Sequence, residues 1–439
     1  MIGPCSTSLD SIGAARPLGR VRALLAKAGL GACLLALTVG AAGAEISPAP
    51  PPGVAPRLAA AAERTLEANP ALSAARSNIR ASGHDIKAAK WLRYPSVAVQ
   101  AVTRTDRVGV SPNVQIFQPV WAGGRISGSI DRATALKNVA LAQYQETAFD
   151  LLLRLSDAFH EIAKSDRLIK VYTDSLLEHR RLVESMERRV AQEVSPRSDL
   201  DLARSRLAQV EQELTTAAAQ HDSSLRRLTE IVGIPDFEVG RPPVYSAAAH
   251  HPATDGAVDR ALACSPTVAR LAAEVDVAEA DRRLSRSASL PQLGVQYSYD
   301  RFAGNQLGLA VKMESNGGLS SLALAEAAAA RRQASEYRVA AARREVQEAV
   351  GLDIVENKSS RTRMASTVAA AESTARVTES LLRQFVAGRR TWLDVMNAVR
   401  EGVAAKAALV QVESNAMASA ARLQLRTCAW QPEAAERQP

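Results

Sequence analysis

Gln306-Leu307-Gly308-Leu309-Ala310-Val311-Lys312-Met313-Glu314 alternates without a break. Leu307, Leu309, Val311 and Met313 fall on one side, and Gly308, Ala310, Lys312 and Glu314 on the other. Successive side chains of a strand point to opposite faces, so this segment meets an apolar medium on one face and water on the other. Gln292 to Tyr299 reads as its partner strand, with Ala303-Gly304-Asn305 as the tip between them. Strands of about ten residues have the length a tilted strand needs to cross a bilayer. An ordinary half-buried hairpin carries the same alternation. What favours the membrane is the neighbourhood, since almost nothing else in the chain could cover such a hairpin as a sheet core.

The segment has a counterpart earlier in the chain. Arg64, Leu66, Pro70, Pro95 and Gln100 recur as Arg260, Leu262, Pro266, Pro291 and Gln296, all 196 residues on. Gly123-Gly124 recurs as Gly317-Gly318 after 194 residues, and Val190 and Asp199 correspond to Phe385 and Asp394 after 195. Ordered landmarks at a nearly constant offset mean two copies of one structural unit. The first copy predicts a helix over Arg57 to Trp91 and a strand over Ser96 to Thr103. A polar tip follows around Asp106, Gly109 and Pro112, and then a return strand from Asn113 to Trp121. Trp91, Tyr94, Phe117 and Trp121 fall at the base of this hairpin, a placement that suits an interfacial aromatic belt as well as a small core. Two hairpins supply four strands, too few to close a barrel, and open edges are not tolerated in lipid. If the strands cross a membrane, other copies of the chain must complete the cylinder.

Long helical segments follow each hairpin. Ile126 to about Gln192 has no proline and one glycine, Gly128. Apolar residues recur there at three-and-four spacing, among them Phe159, Ile162, Leu176, Val183, Met186 and Val190. This is the signature of a coiled coil. Some 65 residues at 1.5 Å each span roughly 100 Å. A second helix runs from near Pro196 to Gly233-Ile234-Pro235, with Leu207, Val210, Leu214, Ala217, Leu225 and Leu228 on its seam. The second unit repeats the pair over Ser320 to Val386 and Thr391 to Cys428, the last with Leu393, Met396, Val403, Val410 and Met417 on its seam. A freestanding coiled-coil protein, such as a soluble periplasmic adaptor, accounts for these helices but not for the hairpins.

The N-terminus reads as an export signal. Arg16, Arg20, Arg22 and Lys27 precede an apolar run from Leu30 to Ala41, and Ala42-Gly43-Ala44 offers a small-x-small cleavage site. The expected organisation is a signal peptide over 1–44, a Pro-rich linker over 45–56, the first repeat over 57–243, the second over 244–428 and a disordered tail over 429–439. Only Cys264 and Cys428 survive removal of the leader, so a disulfide framework is not in play. One bridge between them is possible.

Composition narrows the function. The formal charge is +8, and the leader's four Lys/Arg against Asp10 lower it to +5, too mild and too evenly spread to suggest nucleic acid. Aromatics make up only 4% of the chain while alanine is abundant, which points to long, closely packed helices. The six histidines show no metal-type spacing, and His250-His251, beside Pro252 in the inter-repeat linker, is expected to be solvated. Gly123-Gly124 lacks the Lys-Ser/Thr of a phosphate loop and reads instead as the joint where strand becomes helix. No catalytic set and no cofactor site can be assembled.

The run Gln118-Pro119-Val120-Trp121-Ala122-Gly123-Gly124-Arg125 resembles the strand-to-helix signature of TolC-like outer-membrane factors. Phe385-Val386-Ala387-Gly388-Arg389-Arg390-Thr391-Trp392-Leu393-Asp394-Val395 resembles the tip joining their last two long helices, and Asn69-Pro70 resembles a feature of their opening helix. The wording is most similar to the agglutination-type channels of type I secretion. The resemblance implies an α+β membrane protein, a long α-helical coiled-coil barrel plus a transmembrane β-barrel, with four strands per chain and a homotrimer of twelve. It implies a passive conduit through outer-membrane lipid and periplasm, opened by a periplasmic adaptor (membrane fusion protein) and an inner-membrane ABC transporter or proton-driven pump. It also implies site residues. Arg390 would tie to Asp199 of the adjacent subunit to hold the periplasmic gate, with Asp394 and Asn397 facing the pore at its constriction. Glu193, Ser195, Gly388 and Arg389 would form the helix tips met by the adaptor, and Gly123, Gly124, Gly317 and Gly318 the strand-helix joints. Two departures from the family pattern stand out: Glu193 replaces a tip glycine, and Phe385 replaces a hydrogen-bonding tyrosine, so the first tip is expected to differ in shape.

Overall fold

A computed structural model of the chain describes residues 50–104, 107–234, 237, 239–240, 243–300, 304–313 and 320–432. The signal segment and Gly317-Gly318 therefore lie outside the described residues. The first repeat runs α1 (Pro56–Ala68), α2 (Pro70–Trp91), β1 (Ser96–Arg104), β2 (Arg107–Trp121), α3 (Arg125–Ala191) and α4 (Arg197–Val232). The second runs α5 (Ala257–Cys264), α6 (Pro266–Ser287), β3 (Gln292–Asp300), β4 (Gly304–Lys312), α7 (Ser320–Val386) and α8 (Trp392–Arg426). Both α3 and α7 are 67 residues long, about 100 Å each.

The opening helix is broken where one continuous helix was expected. Pro70 cannot continue α1, and the Asn69 side chain accepts the Ala71 N–H at 2.9 Å, capping α2. In the second repeat Ser265 does the same for Val268 N–H. The first hairpin is also tighter than its sequence suggested. Gly109 and Pro112 belong to β2 rather than to a loop, and Pro112 pairs with Ala101 on the stretch where β2 has β1 as its partner but has not yet met β3.

The helices pack on heptads. Buried positions on α4 include Ala203, Val210, Ala217 and Ser224, seven apart. On α7 they include Ala328, Ser335 and Ala342, then Ala371, Thr378 and Phe385. A strict seven-residue repeat keeps one stripe against a neighbour only if the helices coil left-handedly. Small residues at these positions let the backbones approach closely: a Cβ added at Gly402 of α8 would stand 3.4 Å from Thr378 Oγ1. The α8 seam holds at Met396, Val410, Met417 and Leu425 and differs at its first position, where Trp392 is buried and Leu393 exposed.

The inter-repeat linker and both chain ends are laced onto the helices. His250 is buried rather than solvated. Its ring stacks on Tyr245 with centroids 5.7 Å apart, and desolvation lowers its pKa. The Asn357 amide donates to His250 O, Ala416 O and Ser419 Oγ, each at 3.1 Å, joining linker, α7 and α8. Gln424 Nε2 donates to Pro52 O at 2.8 Å, fastening the Pro-rich segment. Trp430, in the stretch expected to be loose, packs beside Leu155 and Phe159. Cys264 and Cys428 are bonded, stapling α5 to the end of α8, as an oxidising compartment permits.

Candidate functional site

The four strands form one antiparallel sheet in the order β1-β2-β3-β4, so the two hairpins join edge to edge within the chain. Its register sorts the residues by chemistry. Val97, Ile116, Tyr297 and Leu307 lie in one row on one face, and Val295 with Leu309 and Leu293 with Val311 lie in neighbouring rows on the same face. The opposite face carries Ala98, Gln115, Ser298 and Gln306 in one row and Gln100, Asn113, Asp300 and Gly304 in another. The apolar face is bare: Leu309 is 89% exposed and Leu307 75%. Among the described residues nothing covers this face, which is the arrangement the lipid-facing wall of a membrane barrel requires. No described helix is long and apolar enough to cross a membrane. Within the chain β1 and β4 each keep an unpaired edge.

At the base of the sheet, three of the four predicted belt aromatics are exposed. Trp91 and Tyr94 pack with ring centroids 4.9 Å apart, and both are exposed, as is Trp121 opposite Leu293. Phe117 does not join them. Its register puts it on the polar face, where its ring covers Gly294 so closely that an added Cβ would stand 2.5 Å away, and Lys312 Nζ sits 3.9 Å above it. The aromatic fills the space a glycine leaves and holds the lysine by a cation–π contact. Beyond β2, Gly123 and Gly124 both adopt left-handed backbone (φ 56 and 86). A Cβ at Gly123 would stand 2.7 Å from Leu290 Cβ. The joint therefore needs glycine for conformation and for space.

The two helix tips lie at the far ends of α3 and α7. Glu193 has φ 58 and Gly388 has φ 71. Glu193 N–H donates to Val190 O at 3.0 Å and Val194 N–H to Arg189 O at 2.9 Å. Gly388 N–H donates to Phe385 O and Arg389 N–H to Gln384 O, both at 2.9 Å. Both are Schellman endings, so the expected difference in tip shape is not found: glutamate takes the glycine's conformation. Beneath the tips, Phe385 and Trp392 (ring centroids 5.3 Å apart) pack with Leu182, Met186, Val395 and Val399 into a core shared by both helical pairs. The Arg189 guanidinium lies 4.6 Å above the Phe385 ring and donates to Ser195 Oγ at 3.3 Å.

Asp394 has a role the sequence reading missed. Its carboxylate accepts the Thr391 N–H while Thr391 Oγ1 accepts the Asp394 N–H, both at 3.3 Å, a capping box at the start of α8. The Thr-x-x-Asp spacing was the available signal. At the equivalent place in the first tip Pro196 is the cap, with no side-chain acceptor, and Asp199 has no side-chain partner among the described residues. Arg390 donates to Gln384 Oε1 at 3.2 Å, and Asn397 is half-buried. Glu193, Gly388 and Arg389 are exposed and Ser195 half-buried. The described residues contain no group of His, Cys, Asp or Glu that could hold a metal ion.

A two-faced sheet open at both edges, continued into two helices of 67 residues that each pack against a shorter partner, is the architecture of a protomer in an outer-membrane channel fold. Residues 61–234 match the outer membrane efflux protein family model. The match covers most of the first repeat and is a likeness there to a family described as outer membrane efflux proteins. The fold extends the likeness over both repeats. A membrane protein of Pseudomonas aeruginosa aligns with TM-score 0.74 at 14% identity, covering 85% of this chain and 90% of that one. The outer membrane protein VceC of Vibrio cholerae aligns with TM-score 0.72 at 15% identity, covering 84% and 96%. The MtrE outer membrane channel of Neisseria gonorrhoeae, in its open state, aligns with TM-score 0.69 at 15% identity, covering 85% and 89%. No curated protein sequence matches the chain.

Proposed function

We propose that the chain is the outer-membrane subunit of a type I secretion system, forming a trimeric passive conduit for a large adhesin-like protein delivered by an inner-membrane ABC transporter and its adaptor. The observation that carries the cargo assignment is the wording of the second tip, Gly388-Arg389-Arg390-Thr391-Trp392-Leu393-Asp394-Val395, which is most similar to agglutination-type channels. The likeness of residues 61–234 to outer membrane efflux proteins favours a second reading, export of small molecules on the same scaffold. A deletion strain separates the two. Loss of surface adhesin with unchanged drug sensitivity supports protein secretion, and the reverse pattern removes it.

In this reading Asp199 and Arg390 form the gate tie between adjacent subunits. Asp199 suits this role because Pro196 leaves its carboxylate uncommitted, whereas Asp394 is occupied by Thr391. Arg390 is held in its own chain only by an exposed bond to Gln384. Asp199→Ala and Arg390→Ala are each expected to raise single-channel conductance in planar bilayers. Unchanged conductance in both variants removes the tie.

A further inference from the structure

Bases near the sheet and below it differ in their partners. Several of those further from the sheet are paired with carboxylates: Arg132 with Asp281 at 2.5 Å, Arg282 with Glu279 at 2.7 Å, and Arg332 with Glu279 and Glu336 at 3.1 and 2.7 Å, while Arg80 and Arg331 are exposed and make no ion pair among the described residues. Glu279, shared among three arginines, has its pKa drawn down to about 2, first by its bond to Arg282. Those at the level of the sheet's base have no such partner. Lys87, Lys90 and Arg93 at the end of α2, and Arg286 at the end of α6, are exposed and make no ion pair among the described residues. They alternate with exposed apolar groups, Trp91, Leu92, Tyr94 and Leu290.

The placement is repeated. Lys90 and Arg286 are 196 residues apart, the offset of the duplication, and each lies in the last turn of its helix just before a strand. A cation in a last turn also suits the helix dipole, which would explain these two alone. It does not explain Arg93, which lies beyond the helix. Nor does it explain Arg125, which occupies the first position of α3, where the dipole opposes a cation and where no carboxylate meets it. Unpaired cations ringed by interfacial aromatics fit an anionic surface outside the protein.

We propose that this collar, Lys87, Lys90, Arg93, Arg125 and Arg286 from each chain, binds the phosphates of anionic phospholipids in the inner leaflet of the outer membrane. The inference rests on the sheet being a barrel in that membrane. Arg93 and Lys90 flank Trp91, so the cations sit at headgroup depth when the aromatic ring lies at the interface. Lipopolysaccharide lies in the other leaflet and is out of reach of residues at the periplasmic base.

The test uses the full trimer reconstituted in phosphatidylcholine vesicles, with brominated phosphatidylglycerol or brominated phosphatidylcholine as quencher of tryptophan fluorescence. Trp91 and Trp121 are the exposed reporters, while Trp392 and Trp430 are buried and common to all samples. The expected preference for phosphatidylglycerol is roughly fivefold at low salt, of the size one surface cation contributes. It should fall toward parity in the Lys87→Gln, Lys90→Gln, Arg93→Gln, Arg286→Gln variant and stay in Arg332→Gln. Equal quenching by both lipids in the native trimer, or a preference untouched by the four substitutions, overturns the proposal. Absence of quenching by either lipid would instead overturn the membrane-barrel reading on which it stands. Should the fourfold variant not assemble, Lys90→Gln and Arg286→Gln singly must each lower the preference.

Discussion

The two helix tips have the same backbone and different chemistry. Each ends its long helix in a Schellman turn, Glu193 taking the place of Gly388. Each ties the turn back with an arginine, but the ends of the bond are exchanged. Arg189 reaches forward to Ser195 in the first tip, while in the second Arg390 reaches back to Gln384, the counterpart of Arg189. Pro196 opens α4 where Thr391 opens α8, and Arg197 stands where Trp392 fills the core. Duplication has therefore preserved a shape while dividing its tasks. The second tip supplies the aromatics of the core and caps itself, and the first leaves a carboxylate without a side-chain partner among the described residues.

The division predicts a steep asymmetry in stability. Trp392→Ala should cost about 3–5 kcal/mol, the usual loss for a large aromatic removed from a core, since Trp392 is only 4% exposed and packs on Phe385, Met396 and Val399. Its counterpart Arg197 is exposed, and Arg197→Ala should stay within about 0.5 kcal/mol. Thermal dissociation of the trimer in detergent reads both. Comparable losses at the two positions would mean that the tips share the load after all.

The caps come next in size. Thr391→Ala removes the capping box and should cost about 1 kcal/mol. The reciprocal change, Pro196→Thr, would give Asp199 the partner that Asp394 has and should stabilise by a similar or smaller amount. It also sharpens the gate proposal. If Asp199 holds a neighbouring Arg390, drawing its carboxylate onto its own helix should raise conductance as Asp199→Ala does, in a protein that is more stable rather than less. A stabilised variant with native conductance would separate the cap from the gate.

Much of this was legible in the residues, and the parts that were not have physical reasons. Period-two alternation in Gln306 to Met313 fixed the faces of β4, and the long proline-free run fixed the extent of α3 to within a residue or two, because both are local patterns. The face of Phe117 was not legible, since it depends on pairing with Gln296 and on the room left by Gly294 across the sheet. The burial of His250 and the Cys264–Cys428 bond depend on how the linker folds back on α7 and α8, contacts across more than 100 positions. The capping role of Asp394 was written in Thr-x-x-Asp but hidden by its resemblance to a pore residue. The burial of Trp392 in place of Leu393 is a one-residue change of face, to which a seam read at three-and-four spacing is blind.

The smallest expected effect bears on the most direct comparison. Glu193 adopts φ 58, a conformation in which a side chain crowds the following carbonyl, and its carboxylate makes no hydrogen bond or ion pair among the described residues. Glu193→Gly should therefore stabilise the trimer by about 0.5–1 kcal/mol per tip, the strain released less the added freedom of glycine in the unfolded chain. Gly388→Ala should cost a similar amount, because the two turns make the same pair of backbone bonds. The sign is what matters. If Glu193→Gly destabilises instead, the glutamate must be held by something outside its own chain, and the exposed tip where an adaptor would meet the channel is where that contact would have to lie. A gain in stability with weakened co-purification of the adaptor would show strain retained at the first tip for docking, while a gain with docking intact would leave Glu193 as a cost the fold tolerates.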